Sequence, residues 1–435
     1  TCCRTFARAL VRAEMERNSL MMRDRTSYEP RRVALFGPYV SRNLGDTATQ
    51  LAVIQNLRQR RPDLQILGVA PEPDDTLRSL GIAAFPLTGY GPVAGDLAPY
   101  KDLQSAAQSD VWRRPYSLFV VRRIARFVRT LDLFVVSGGG QLDDFWGGAW
   151  GHPWSMLLWT ALARRYGVPV VYLAVGLDGL KAPLSRRFSL LALHLANRRL
   201  FRDVRSYEQL QALGLVKPSS VCPDLAFSLK VGMPKIPNTP HHQRSFAVIS
   251  PISRKTWSHQ ETDIHVRYMS ALADVGRELA GRGCALKIVC SQTVMDLDDA
   301  HALAQKLRNT GVTEVEVHDA PRVADFIQSV HGAELVVASR LHAVILSLVA
   351  ECPVLAVAHL DKVRAVMNDI GLDGYCLPLR QIDSVQLCEL ACRALERSQE
   401  LRQHVKREVA DFRIRLENIF DELATLSDAQ ASLCN

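Results

Sequence analysis

The segment from Glu334 to Arg364, ELVVASRLHAVILSLVAECPVLAVAHLDKVR, limits the possible folds more tightly than any other part of the chain. ELVVAS is a short apolar run rich in β-branched residues, HAVILSLVAE has the length and character of a buried helix, and PVLAVA is a second buried strand opening at Pro353. Strand, helix and strand in that order predict a βαβ unit. Ser339, Arg340, Leu341 and His342 then fall at the carboxyl end of the first strand and the start of the helix, where open α/β sheets bind ligands. Helix-start N–H groups and the positive end of the helix dipole favour an anion there. The Arg340 guanidinium can grip a phosphate or carboxylate through two hydrogen bonds, and His342 supplies a proton carrier.

Taken singly, these residues have plainer readings. Ser339 reads as a helix cap, Arg340 as the partner of a surface ion pair, and His342 as a first-turn residue without a role. Their combination is what points to a site, because an S-R-x-H quartet interrupts an otherwise wholly apolar βαβ.

The chain has 435 residues, enough for two α/β domains with a core each. Its formal charge of +8 suits acidic ligands or an anionic membrane surface. Nucleic acid is disfavoured, because the basic residues are dispersed and no recognised binding motif is present. Runs such as LDLFVV and SLLALHLA are far short of a membrane span, and no secretion signal is legible, which predicts a cytoplasmic protein. The ten cysteines form neither a disulfide framework nor a zinc pattern. Even Cys388 and Cys392, one helical turn apart, lack a second ligand pair and read as small buried hydrophobes.

From Arg31 strand-type and helix-type runs alternate. RRVALFGPYV reads as a strand, SRNLGD as a loop and TATQLAVIQNLRQRR as an amphipathic helix with Asp46 in the N-cap position. The loop holds no G-x-G-x-x-G, which disfavours a classical dinucleotide site. Asn43, Gly45 and Asp46 either line a cleft or make only a turn and a cap. Residues 87–110 read as a long loop suited to substrate contacts. In DVWRRPYSLFVVRRIARFVRT, Arg122, Arg123, Arg126 and Arg129 fall on one basic face, which is either solvated or turned to a membrane surface or anionic acceptor.

LDLFVVSGGGQLDDFWGGAW is the second informative stretch. Gly138, Gly139 and Gly140 at a strand's carboxyl end let a ligand approach the backbone, and Asp143, Asp144, Phe145 and Trp146 offer acceptors and a stacking surface suited to sugars. The alternative is a tight turn with packed aromatics. Further on, Arg202 ends a short strand as a second candidate anion ligand, or else makes a surface arrangement with Asp203, and Ser206 is placed to cap the next helix.

Residues 1–30 read as a poorly ordered lead-in, 31–233 as one Rossmann-like domain, 234–244 as a linker, 245–383 as a second Rossmann-like domain, and 384–435 as a helical region lying across both. Pro234, Pro237 and Pro240 mark the linker, and His241 and His242 within it read as linker residues rather than metal ligands. In the second domain a helix is expected at 297–309, between strands at 285–291 and 312–319. The expected fold class is therefore α/β, with two doubly wound domains facing a cleft and closed by a C-terminal helical region. That is the GT-B type of architecture.

Five stretches, in order, carry a family resemblance: N-L-G-D at 43–46, V-V-S-G-G-G at 135–140, F-R-D-V-R-S-Y-E-Q-L at 201–210, C-P-D-L-A-F at 222–227 and S-R-L-H-A at 339–343. The sequence resembles the polysaccharide pyruvyl transferases across about residues 31–380. The resemblance implies transfer of the pyruvyl group of phosphoenolpyruvate onto two hydroxyls of one sugar in a cell-surface or exopolysaccharide precursor, giving a ketal and phosphate. It places the acceptor on the N-terminal domain and the donor on the C-terminal one. Donor-binding roles carry over to Arg340, His342, the Leu341 backbone and Arg202, with Lys362 a weaker candidate and Ser339 opening the helix start that faces the phosphate. His342 is the expected general acid or base, with Asp46, Asp143 or Asp144 as partners. Asn43, Gly45, the Gly138–Gly140 turn and Trp146 are the remaining acceptor-side candidates. Phosphoenolpyruvate would be a substrate, and no cofactor or metal is called for. The acceptor would be a glycan or lipid-linked oligosaccharide, with peripheral contact at the inner membrane surface; nothing in the sequence specifies an oligomer.

Two competitors follow from the same residues. A nucleotide-sugar glycosyltransferase would use the same architecture, with Arg340 facing a pyrophosphate, but within 339–362 only Glu351 and Asp361 are acidic, and Asp361 is the nearby candidate to meet a ribose. A non-catalytic glycan-binding or assembly subunit is the other, and the intact S-R-L-H quartet argues against it.

Overall fold

The computed structural model describes residues 31–37, 43–90, 92–97, 117–232, 245–256 and 262–426. The lead-in, the linker with its histidines, most of the 87–110 loop, the start of the expected helix at 110–116, and Cys2, Cys3 and Cys434 lie outside them.

The N-terminal domain runs β1 (Arg32–Phe36), α1 (Leu44–Arg60), β2 (Gln65–Ala70), α2 (Pro73–Leu80), β3 (Ala84–Pro86), α3 (Leu118–Val128), β4 (Leu133–Ser137), β5 (Leu142–Asp143), α4 (His152–Arg165), β6 (Val170–Val175), β7 (Leu177–Gly179), α5 (Pro183–Leu195), β8 (Arg198–Phe201), α6 (Val204–Ala212) and β9 (Ser220–Val221). Seven of these strands form one parallel sheet in the order β3-β2-β1-β4-β6-β8-β9, and β5 pairs with β7 in a separate ribbon. Because helices cover both faces, central strands such as LFVVS are apolar at successive positions rather than alternating.

The C-terminal domain runs β10 (Phe246–Ser250), α7 (Thr262–Gly281), β11 (Ala285–Cys290), α8 (Thr293–Asn309), β12 (Val315–Asp319), α9 (Val323–Val330), β13 (Leu335–Ala338), α10 (Leu341–Val349), β14 (Val354–Ala358), α11 (Asp361–Asp369), β15 (Cys376–Pro378) and α12 (Ser384–Glu396). Its six strands are parallel in the order β12-β11-β10-β13-β14-β15. In both sheets the strand order reverses beside the first strand, so each has its switch point there, and the chain is a two-domain α/β protein of GT-B type.

The final helix, α13 (Ser398–Leu426), joins the two halves. It buries Leu401, Val405, Val409, Phe412, Leu416 and Phe420 at helical spacing. Its first half packs on the C-terminal domain, where Arg402 donates to Ala333 O at 2.6 Å. Its second half meets the N-terminal domain through Phe412 against Phe227 at 5.0 Å, Arg60–Asp421 at 2.5 Å and Arg198–Glu422 at 2.5 Å. Helix α10 explains its own sequence: it lies between its sheet, α13, α1 and the 225–228 turn, so it is apolar nearly all round. Among the described residues no helix is long and apolar enough to cross a membrane, and the seven described cysteines are free.

Four local expectations are corrected. Helix α1 starts at Leu44, and Asn43 caps it by accepting from Gly45 N at 3.1 Å, which moves Asp46 into the first turn. Asp203, not Ser206, caps α6, accepting from Ser206 N at 2.7 Å, while the Ser206 hydroxyl accepts from Leu177 N at 2.9 Å. Helix α8 begins at Thr293, four residues before the expected start, which brings Asp296 into its first turn. Arg123 leaves the basic face: it is buried, donates to Gly89 O at 2.7 Å and sits 4.8 Å over the Phe85 ring. A helix must bury one stripe, and an arginine on the edge of that stripe turns inward when a carbonyl and a ring receive it.

Candidate functional site

The switch point of the C-terminal sheet lies between the ends of β10 and β13. Ser339 is fully buried there, and its hydroxyl meets the Tyr268 hydroxyl at 2.6 Å, so it does not cap α10. Its carbonyl accepts from His359 Nδ1 at 2.8 Å. Arg340 holds the N-cap position with extended backbone and no side-chain cap, which leaves the helix start for another acceptor. The Arg340 fork is set by a carboxylate of its own domain: Nε and Nη2 donate to Asp296 at 2.5 and 2.6 Å. Asp296 is fully buried and also accepts from Ser253 N at 3.0 Å. Burial pushes its carboxyl up, and Arg340 and the Ser253 N–H oppose that push.

His342, one residue into α10, points across to the N-terminal domain. Its imidazole lies over Gly45, where a Cβ would come within 1.9 Å of Nδ1. Its Nε2 stands 3.9 Å from Asp224 Oδ2. Burial drives the imidazole down to about 4, further lowered by Arg202 and Lys362 and opposed by Asp224. Asp224 is held by its other oxygen, which accepts from Ala226 N at 3.0 Å and caps the 225–228 turn.

Arg202 is the third element. It is buried, with Asp178, Asp203 and Asp224 at 3.5, 3.6 and 3.9 Å. Burial works against its charge, but these carboxylates outweigh it and hold the guanidinium above its ordinary value. Asp178 in turn accepts from Lys362 Nζ at 2.9 Å across the domain boundary. Burial works to raise the Asp178 carboxyl, and Lys362 and Arg202 together hold it below the usual range. The backbone is bent to build this corner. Ala174 has φ of 50°, the β6–β8 register shifts between Tyr172 and Val175, and a Cβ on Gly176 would fall 2.4 Å from Arg202 Nη2.

The 138–146 segment forms the remaining wall. Gly138 and Gly139 have φ of 59° and 65°, which only glycine adopts without strain. A Cβ on Gly138 would strike Thr49, one on Gly139 would meet Asp46 Oδ1 at 3.6 Å, and one on Gly140 would strike Asp178. Asn43 Nδ2 donates to Asp46 at 2.9 Å. Asp143 accepts from Phe145 N at 3.1 Å, and burial, with Asp178 and Asp144 nearby, pushes its carboxyl up to about 6. Asp144 has a structural task, accepting from Lys181 N and Ala182 N at 3.0 and 2.8 Å and so fixing the chain that enters α5. Trp146 packs edge-on to the Phe145 ring at 5.1 Å, and Phe145 is 80% exposed.

The cleft thus gathers Gly45, Arg202, His342 and Lys362, with Asp46, Gly139, Gly140 and Asp143 along its N-terminal wall and Arg340 deeper in the C-terminal domain. Arg202 is no surface residue. Sequence reading missed Asp178, Asp224, Asp296 and Tyr268. Asp178 and Asp224 did carry a signal, since each breaks an apolar run, in VGLDGL and CPDLAF. Among the described residues no group of three or more His, Cys, Asp or Glu is placed to hold a metal ion.

A family model described as polysaccharide pyruvyl transferase matches residues 43–361, a span containing every residue of this cleft but Lys362, which lies one position beyond it. A search of curated proteins by sequence returns no match. Solved structures share the fold at low identity. The UDP-GlcNAc 2-epimerase of Neisseria meningitidis, bound to UDP-GlcNAc, superposes with a TM-score of 0.57 at 12% identity, over 90% of this chain and 98% of that one. A glycosyltransferase of Rickettsia africae gives 0.57 at 8% identity, over 92% and 99%. MnaA of S. aureus with UDP gives 0.53 at 12% identity, over 86% and 90%.

Proposed function

Since the chain belongs to the polysaccharide pyruvyl transferase family, we propose that it moves the pyruvyl group of phosphoenolpyruvate onto two hydroxyls of one sugar residue. The supporting observation is the meeting of Arg202 and Lys362 with His342 across the domain boundary, cations from both domains beside a desolvated proton carrier. Phosphoenolpyruvate is a small dianion-to-trianion with a carboxylate at one end and a phosphate at the other. Two separated cationic grips suit it better than one. In this reading Arg202 and Lys362 take the carboxylate in place of Asp178. Arg340, fixed in orientation by Asp296, and the start of α10 at Leu341 take the phosphate.

The chemistry sets the proton traffic. A proton is added to the donor's methylene carbon, and a sugar hydroxyl attacks the central carbon. Phosphate leaves with the C–O bond electrons, and a second hydroxyl closes the ketal. One hydroxyl proton ends on the new methyl group and the other leaves with phosphate. His342, neutral at pH 7, is the base that accepts a hydroxyl proton, and Asp224 stands where it can hold the imidazolium. Asp143 is the acid, because a carboxyl raised to about 6 beside a depressed Asp178 divides the roles of two neighbouring carboxylates. Asp46 and the Gly138–Gly140 turn face the acceptor, with Phe145 and Trp146 as a sugar-stacking edge. The scheme calls for no cofactor.

The test is product formation. The protein is incubated with phosphoenolpyruvate and a panel of free and lipid-linked glycans, with phosphate release followed and the glycan examined for a pyruvate ketal. Acceptor-dependent phosphate release with a ketal supports the reading. Glycosyl transfer from a nucleotide sugar, without use of phosphoenolpyruvate, contradicts it.

A further inference from the structure

Helices α3, α4 and α5 pack side by side on one face of the N-terminal sheet. This follows from the strand order: the connections from β3 to β4, β4 to β6 and β6 to β8 all advance in one direction, and right-handed crossovers put their helices on one side. The sequences of these helices, LFVVRRIARFV, HPWSMLLWTALARR and PLSRRFSLLALHL, contain no aspartate or glutamate. They do carry exposed arginines at 122, 126, 164, 186 and 187. None of these five forms an ion pair with a described residue. An arginine face on a soluble surface is ordinarily interspersed with acids, so three consecutive helices without one form a layer of single sign.

The same layer exposes apolar side chains. Leu118 and Phe119 at the start of α3 are 58% and 60% exposed, and Leu191 on α5 is 53% exposed. Trp150, 55% exposed, leans on Trp154 and Phe188 at 5.4 and 5.3 Å, which fixes it as a rigid protrusion. Phe145, edge-on to Trp146, is 80% exposed. Basic residues flanking exposed aromatic and aliphatic side chains are the composition of an interfacial surface, in which the rings enter the headgroup region and the cations meet lipid phosphates. A protein partner of matching acidity would satisfy the charges, but it would not call for exposed phenylalanine and tryptophan at the starts of two neighbouring helices. The occupant that fits both features is an anionic bilayer.

We infer that the α3–α5 layer docks the protein on an anionic membrane surface, with Phe119, Trp150 and Leu191 entering the interface and Arg122, Arg126 and Arg187 meeting lipid phosphate. The docked face carries the 145–154 segment, which continues into the Asp143 wall of the cleft, so an acceptor held by a lipid would reach the cleft along the surface that holds the protein. The inference stands independently of the proposed chemistry.

The experiment is co-sedimentation of the full chain with phosphatidylcholine vesicles, with and without phosphatidylglycerol, at low and high salt. Binding to the anionic vesicles alone, weakened by salt, is expected. Arg122→Gln with Arg187→Gln is expected to lower partitioning by about thirtyfold, from roughly fivefold per cation, and Phe119→Ser with Trp150→Ser to lower it further. The arginine variant should keep the thermal midpoint of the wild type, since both side chains are exposed, and the Phe119 and Trp150 variant should stay folded with a small drop, since Trp150 also packs on Trp154 and Phe188. Binding to neither vesicle, equal binding to both, or binding indifferent to the Arg122 and Arg187 changes would overturn the inference. Phosphate release from phosphoenolpyruvate with a soluble acceptor, measured beside it, is expected to be unchanged in both variants.

Discussion

His342 Nε2 and Asp224 Oδ2 face each other at 3.9 Å across the domain boundary, and neither buried atom has a hydrogen-bond partner among the described residues. Buried polar atoms in contact range without a hydrogen bond are costly at rest, and Arg202 Nη1, 3.9 Å from Asp224 Oδ2, offsets part of that cost on the carboxylate side alone. The arrangement is resolved if the imidazole takes a proton, because Nε2 then becomes a donor aimed at a carboxylate. Asp224→Asn is expected to lower kcat by about a hundredfold, within the range for a positioned proton carrier, and to leave phosphoenolpyruvate affinity within about threefold, less than a typical neutral hydrogen bond. Asparagine keeps the cap on Ala226 N, so the turn at 225–228 survives. Equal loss from Asp224→Asn in affinity and in kcat would show a structural role instead.

Gly45 is where the imidazole rests. A methyl group there would overlap Nδ1 at 1.9 Å, so Gly45→Ala must move His342 or part the domains. Overpacking of this kind costs about 1–3 kcal/mol. The expected result is a lower unfolding midpoint together with loss of turnover, read by denaturant titration and phosphate release. Gly179→Ala is the control, since nothing lies within 4 Å of a Cβ there. A Gly45→Ala protein with wild-type turnover would show that the imidazole is not the catalytic base.

The two carboxyl and imidazole roles predict a bell-shaped profile. His342 must be neutral to accept a proton, so kcat/KM rises as pH climbs through about 4. Asp143 must be protonated to donate, so kcat/KM falls as pH passes about 6. The second ionisation of a phosphate, near 6, falls in the same window. Asp143→Asn separates the two, because it removes the enzyme's limb and leaves that of the donor. A profile unchanged in Asp143→Asn would take the acid role away from this residue.

His152 offers a stability test away from the cleft. It is fully buried, stacked on Phe36 at 5.6 Å with Nε2 at 3.1 Å from Gln141 Oε1, and burial drives it down to about 4. In the unfolded chain the imidazole titrates near 6.5. Between these values the unfolded state binds the extra proton, so the native state loses stability as pH falls from about 6.5 towards 4. The full effect is about 3 kcal/mol. His152→Asn, compared by urea unfolding across that range, is expected to flatten the acid limb. An unchanged slope would place the titration elsewhere.

Much of this architecture is written in the sequence, because parallel strands buried on both faces and helices of fixed period leave a local signature. S-R-L-H and S-G-G-G are legible for the same reason: polar or glycine-rich breaks at the ends of apolar strands stand out. What is not local is the choice of partner. Arg340 looks like an unclaimed cation until α8 begins at Thr293 and brings Asp296 beneath it, 44 residues earlier in the chain. Asp178 acquires its role only when Lys362 arrives from the other domain. Asn43 and Asp203 displace Asp46 and Ser206 as caps because neighbouring short polar residues compete for the same N–H groups, and tertiary contacts decide among them.

The central claim is that the cleft between Arg202 and His342 takes phosphoenolpyruvate, and titration calorimetry tests it without an acceptor. The wild type, Arg202→Ala and His342→Ala are titrated with phosphoenolpyruvate and with UDP-sugars. The account predicts selective binding of phosphoenolpyruvate, weakened at least tenfold in Arg202→Ala by loss of a charged hydrogen-bonding group worth about 1.5–3 kcal/mol. Binding of a UDP-sugar in its place, or phosphoenolpyruvate affinity indifferent to Arg202, would contradict it.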